Sequence, residues 1–168
     1  MKQSIEQLLI AHGKEILLSP GMQLEKQFIQ HGSISCFEHS IAVAYISLWL
    51  VHCLRLTVDL RSLVRGALLH DYFLYDWHEK DSSHRWHGFH HAKRAAKNAK
   101  RDFSINPIEE DIIQKHMFPL NLALPRYKES IIVTCADKFC ALCEVFSFLV
   151  YRFNEQHLLG GFALPQHV

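Results

Sequence analysis

The four residues Leu68-Leu69-His70-Asp71 constrain this chain more than any others. They end an apolar helical run with an imidazole beside a carboxylate, and a helix facing a core does not ordinarily finish so unless a cation waits there. Leu63, Ala67 and His70 fall at i, i+4 and i+7, which turns the histidine onto the packing face. Asp71 follows about 100° round the helix, close enough for both side chains to reach one ion beyond the last turn.

Helical periods recur along the rest of the chain. Residues 4–18 carry Ile5, Leu8, Leu9, Ile16 and Leu17 in a rough stripe that Ser19-Pro20-Gly21 closes. A short helix is expected over 22–30, and His31-Gly32-Ser33 then breaks the chain. Residues 35–54 are apolar almost all round, which predicts a central helix, and within it His39 shares a face with Ala42, Val43 and Ile46. Thr57 is placed to cap the next helix, the one that ends in His70-Asp71. Residues 72–88 are aromatic, charged and rich in histidine without a clean period, and read as a long functional loop. From 91 to 103, Ala92, Ala95, Ala96, Ala99 and Phe103 line one face, while Lys93, Lys97, Lys100 and Arg101 line the other.

Asn106-Pro107-Ile108-Glu109 is a capping box with proline at the first helical position. It opens a helix whose inner face holds Ile108, Ile112, Ile113 and His116, and Met117-Phe118-Pro119 closes it. A last helix is expected over 126–151, with Ile131, Ile132, Val133, Ala136, Phe139 and Cys140 as its apolar middle and Asp137 among them. Residues 154–168, with Gly160-Gly161 and Pro165, are expected to order only in part. No stretch reads as a strand and no repeat is present, so the expectation is an all-α fold. One compact helical domain would span 1–168, its core over about 22–151.

Composition narrows the function. At 168 residues, 49% hydrophobic and 21% charged, the chain is long enough to bury a real core. A formal charge of +1 makes neither a specific nucleic acid nor an anionic membrane a required partner. Five cysteines, an odd number, argue for a reducing compartment, and Cys140 and Cys143 read as buried thiols within a helix. The N-terminus lacks a signal-peptide pattern, and the apolar stretch 41–54 is too short to span a bilayer and contains His52. The expected protein is soluble and cytoplasmic. Thirteen histidines are far too many for background in a chain this short.

The helical periods place His39, His70, Asp71, His116 and Asp137 on inward faces of four helices. Each alone has an ordinary explanation, as a core imidazole with its N–H satisfied or as a carboxylate paired with a basic neighbour. Together they are harder to accommodate, because a buried carboxylate without a partner costs several kcal/mol. A divalent cation would satisfy both aspartates. Imidazole nitrogen with carboxylate oxygen suits Mn, Fe, Zn, Ni or Co, whereas Mg or Ca would favour oxygen donors alone.

The order His39, His70-Asp71, Asp137, all on helices, resembles the H…HD…D signature of the HD-domain superfamily of metal-dependent phosphohydrolases. The resemblance covers roughly residues 30–144. A further histidine after the His-Asp pair, together with His116, resembles the branch of that superfamily with two metals. The resemblance implies a first ion held by His39, His70, Asp71 and Asp137, with Asp71 bridging to a second held by His91 and His116. His91 opens a helix and has Ala95 four positions on; His87, before Gly88, is an alternative or additional ligand, and His90 a weaker one. Ala92 stands where proline is commoner in that element, and Met117 where a second histidine often stands.

The implied reaction is hydrolysis of a phosphomonoester or phosphodiester, in a nucleotide or small phosphorylated metabolite, by a hydroxide that one or two divalent transition metal ions provide. Lys138 is placed to stabilise phosphate or to stand on the helix surface. Asp76, with His78 and Glu79, is a candidate to protonate the leaving group. Tyr75, Trp77, Arg85 and Trp86 offer aromatic faces and a guanidinium to a nucleobase and a phosphate, or else pack the loop down. Three rival readings stay open: a catalytically silent nucleotide or metal sensor, a di-iron oxygenase, and a helical protein whose histidines merely line its core.

Overall fold

Short polar signatures set where the chain turns helical. The computed structural model describes residues 3–31, 34–77 and 87–145. In chain order these form α1 (Ile5–Leu17), α2 (Pro20–Leu24) with a 3-10 turn over Glu25–Gln27, β1 (Ile29–His31), β2 (Ile34–Ser35) and α3 (Cys36–Leu54). Then come α4 (Leu60–Leu69), α5 (His87–Asp102), α6 (Pro107–Lys115) and α7 (Lys128–Val145). Ser4, Ser35 and Asn106 each accept a hydrogen bond from the backbone three residues on, and Gln7, Glu38 and Glu109 reach back to close the box. Among the described residues the fold is helical with one small two-stranded sheet, consistent with an all-α reading.

Several boundaries differ from the sequence expectation. The cap of α4 is Asp59, whose Oδ1 accepts from Ser62 N at 3.0 Å. Thr57 lies too far upstream, since an N-cap must directly precede the first helical residue. In place of a helix over 22–30, Ser19 and Pro20 start a five-residue helix two positions earlier. Phe28 is already extended, and β1 pairs antiparallel with β2. A hairpin this short leaves no readable alternation, which is why no strand was expected. Helix α5 begins at His87, so His91 lies in its second turn and does not open it. Ala92, lacking proline's bias to the first helical turn, lets the helix extend upstream. Arg126 N is taken by Asp111 Oδ2 at 2.8 Å, and α7 starts two residues later, at Lys128. Residues 146–168 lie outside the described residues.

Helix α3 packs against α1, α4 and α7, α4 also packs against α6, and α6 meets α5 and α7. The apolar run expected within 41–54 belongs to a 19-residue helix, the one described helix long and apolar enough to cross a membrane. Its packing among three other helices, with His39, Ser40 and Ser47 wholly buried, is that of a core helix. Helices α4 and α6 meet at Gly66, where a Cβ would run into the Ile112 side chain. Beside that contact the buried Arg65 guanidinium bonds Glu109 of α6 at 2.8 Å and Glu15 of α1 at 3.0 Å. The two helices are thereby held side by side, and at their C-terminal ends His70 and His116 lie edge to face with ring centroids 4.9 Å apart.

On α7 only one stripe faces inward: Ile132, Val133, Ala136, Asp137 and Cys140 are buried, whereas Ile131 and Phe139 are 53% and 48% exposed. A 3.6-residue period cannot turn six neighbouring apolar residues to one side. Cys140 and Cys143 are buried free thiols, as expected.

Candidate metal centre

Five helix ends and faces deliver imidazoles and carboxylates to one buried point. His39 comes from the second turn of α3, His70 caps the C-terminus of α4, His91 lies on α5, His116 caps α6, and Asp137 lies mid-way along α7. Asp71 is past the end of α4, not round its last turn. The chain reverses there, with Tyr72 N donating to Leu69 O at 3.2 Å and Phe73 N to Asp71 O at 2.8 Å. Asn98 of α5 donates to the carbonyls of Tyr72 and Phe73 at 3.2 and 3.0 Å, tying the helix that bears His91 to the segment leaving Asp71.

The six side chains form two sets that share Asp71. In the first, His39 Nε2 lies 3.2 Å from Asp137 Oδ1 and 4.0 Å from Asp71 Oδ2, while His70 Nε2 lies 3.4 Å from Asp71 Oδ2 and 3.7 Å from Asp137 Oδ1. In the second, Asp71 Oδ1 lies 3.2 Å from His91 Nε2 and 3.3 Å from His116 Nε2, and those two nitrogens face each other at 2.9 Å. His39 with His70 and Asp71, His70 with His116 and Asp137, and Asp71 with His91 and His116 each converge tightly enough to hold a metal ion.

The outer hydrogen bonds fix which nitrogen points in. Nδ1 of His70 donates to Ala67 O at 2.7 Å, and Nδ1 of His116 to Ile113 O at 2.9 Å. Nδ1 of His39 meets both carboxylate oxygens of Glu144 at 2.9 Å. All three Nε2 atoms are left to face the centre, the arrangement in which imidazoles bind metals. Two of the central atoms, His70 Nε2 and Asp71 Oδ1, are buried without a hydrogen bond of acceptable geometry. Orphaned atoms of this kind, an imidazole nitrogen and a carboxylate oxygen at one buried point, fit a cation.

Charge follows the same pattern. Burial pulls the His39 imidazole down, but hydrogen bonds to Asp137 and Glu144 outweigh it and hold the group at about 9. Burial likewise works against His70, yet Asp71 and Asp137 raise it well above the usual imidazole range. Asp71 and Asp137, despite burial, are held well below the carboxylate range, Asp71 chiefly by His70 and Asp137 by its hydrogen bonds to His39 and His70. His116 is lowered, first by burial, against the pull of Asp71. Without a metal, protons on His39 and His70 do the work of a cation.

Three residues of the centre have no place in the sequence expectation. Glu144 lies seven positions after Asp137 on the same helix face, a spacing that could have found it. Gln30 donates from Nε2 to Asp71 Oδ2 at 2.6 Å, and nothing in its sequence setting points to that. Glu25 is wholly buried with neither carboxylate oxygen bonded, and burial reinforced by Asp71 pushes its acid well above the usual range.

The remaining expected residues are placed less centrally. Lys138 is tied to the centre: its Nζ lies 2.7 Å from Asp137 Oδ2 and donates to His116 O at 3.0 Å. Tyr75 packs on Phe73, whose ring meets His91 edge-on, and the Arg94 guanidinium lies over Tyr75 at 4.6 Å. Asp76 and Trp77 are half-buried and stand outside the converging groups. The side chain of His87, and His78, Glu79, Arg85 and Trp86 entirely, fall outside the described residues; His90 is exposed.

The HD-domain family model matches residues 36–142. The chain belongs to the HD-domain family. No curated protein and no solved structure matches it. HD domains bind divalent metals and are largely hydrolases, and the shared carboxylate between two imidazole sets in this HD domain is suited to that chemistry.

Proposed function

We propose that this HD-domain protein is a cytoplasmic metal-dependent phosphohydrolase that cleaves a phosphomonoester or phosphodiester of a nucleotide or small phosphorylated metabolite. The observation that carries the reading is Asp71, whose two oxygens face different pairs of imidazoles. His39, His70, Asp71 and Asp137 would hold one divalent ion, and Asp71, His91 and His116 a second. The nitrogen and oxygen donors suit Mn, Fe, Zn, Ni or Co. Such ions supply a nucleophile by lowering the pKa of water, and neutralise charge developing on the phosphoryl group.

The chain's own side chains then have positioning to do. Glu144, Ala67 O and Ile113 O orient three imidazoles, each through Nδ1. Lys138 balances the charge of Asp137 and pins the carbonyl of His116, tying the two halves together. Arg94 and Tyr75, one ring removed from His91, supply a guanidinium for phosphate and an aromatic face for a base, which Trp77 would extend. Asp76, on the segment after Asp71, would give a proton to the leaving oxygen.

The test is a panel of phosphomonoesters and phosphodiesters, nucleotides included, with protein stripped of metal and then reloaded with Mn, Co or Ni. The stripped protein should be inactive and reloading should restore turnover. A metal-loaded sample that cleaves no member of the panel contradicts the reading. Tight nucleotide binding without turnover would make it a sensor, and iron-dependent oxygen uptake an oxygenase.

A further inference from the structure

We infer that Gln30 is a positioning residue that sets the rotation of the Asp71 carboxylate and so decides whether the Asp71–His91–His116 half of the centre accepts an ion. The inference rests on the two-ion reading above. It starts from an oddity of the hairpin: Gln30 is a polar residue on a short strand, yet only 8% of it is exposed, while its neighbour Ile29 faces solvent more. Strand residues alternate sides, so the hairpin turns the amide inward and the isoleucine outward. Cys36 N donates to Phe28 O at 2.8 Å, closing the hairpin onto the first residue of α3.

The amide is clamped at both ends. Its Nε2 donates to Asp71 Oδ2 at 2.6 Å, and its Oε1 accepts from Cys36 Sγ at 3.3 Å. Reversed, the amide would set oxygen against carboxylate oxygen, so Asp71 selects the orientation and the thiol, donating to the other end, holds it. Burial, with Glu25 and Asp71 nearby, keeps that thiol protonated and donating.

What the clamp controls is a soft torsion. A carboxylate turns about Cβ–Cγ in a broad, roughly two-fold well. In Asp71, Oδ2 takes the Gln30 amide and faces His70 and His39, which leaves Oδ1 to His91 and His116. Among the described residues, the first set keeps Asp137 as a second carboxylate, while the second has Asp71 alone. Loss of the amide should therefore weaken the second half selectively.

The experiment counts ions. Wild type, Gln30→Leu, Cys36→Ser and Cys36→Ala are equilibrated with Mn or Co and assayed by elemental analysis and titration calorimetry, with circular dichroism in chelator to verify the fold. Wild type should bind two ions. Gln30→Leu should keep the first at near wild-type affinity and lose 10- to 100-fold at the second, the usual cost of deleting an outer-shell partner. Cys36→Ser keeps a donor and should behave as wild type, with Cys36→Ala falling between; this pair reports even if Gln30→Leu does not fold. Two undiminished ions in Gln30→Leu and Cys36→Ala, or equal weakening of both ions, overturns the inference and leaves the two-ion reading standing. A wild-type chain that binds fewer than two ions overturns both.

Discussion

Asp71→Ala is expected to abolish metal binding and hydrolysis together. The residue belongs to both ligand sets, and among the described residues its carboxylate is the one that faces His91 and His116. Removing it leaves the second set with two imidazoles and the first with a single carboxylate among the described residues. Lewis-acid and nucleophile assistance is worth several kcal/mol in the transition state. The rate should therefore fall by at least about 10³-fold, equivalent to about 4 kcal/mol. Elemental analysis should find both sites depleted at metal concentrations that fill wild type. His91→Ala is the contrast, retaining the first ion and losing the second. An Asp71→Ala protein that kept both ions would remove Asp71 from the bridging role.

The second large effect is a pH dependence of metal-induced stabilisation. In the metal-free protein His39 titrates at about 9, above the ordinary imidazole value of 6.5. Its proton thus stabilises the metal-free fold fully below pH 6.5, and that contribution is lost as pH rises through 9. A metal needs the neutral ring, so each ion that seats on His39 between about pH 7 and 9 must displace a proton. The His39 proton alone makes apparent affinity climb about tenfold per pH unit over that window, or about 1.4 kcal/mol, and displacing the proton of His70 steepens the climb further. For a chain of this size the gap between metal-loaded and metal-free Tm, at fixed free metal, should widen by at least about 3–6 °C per unit. Differential scanning fluorimetry in metal-buffered solution at pH 6.5, 7.5 and 8.5 reads it directly. A gap independent of pH would show that no proton leaves His39 when metal binds.

How much of this centre was legible in advance depended on the element carrying each residue. His39, His70, His116 and Asp137 sit on helices whose apolar stripes are long enough to define a face, and the same stripes that place Val43 and Ala136 in the core place these groups beside them. Asp71 was legible through its neighbour, although the chain reverses at that point and the helix does not continue. His91 was harder. Its choice rested on resemblance and on a helix start that the structure moves upstream to His87. Gln30 was beyond reach because strands of three and two residues leave no period, and its bond to Asp71 spans 41 positions. Lys138 shows the reverse limit. A lysine beside a ligand suggested phosphate, and its sequence setting gave no sign of the bonds to Asp137 and the carbonyl of His116 that the amine makes.

The claim on which the rest depends is that side chains of five separate helices, with Asp71 between them, converge on metal. Anomalous diffraction from metal-soaked crystals, collected above and below the absorption edge of Mn or Co, tests it most directly. The account predicts two peaks on either side of the Asp71 carboxylate, one among His39, His70 and Asp137 and the other between His91 and His116. A map with no peak there, and with the imidazoles bonded only to the carboxylates around them, would contradict it.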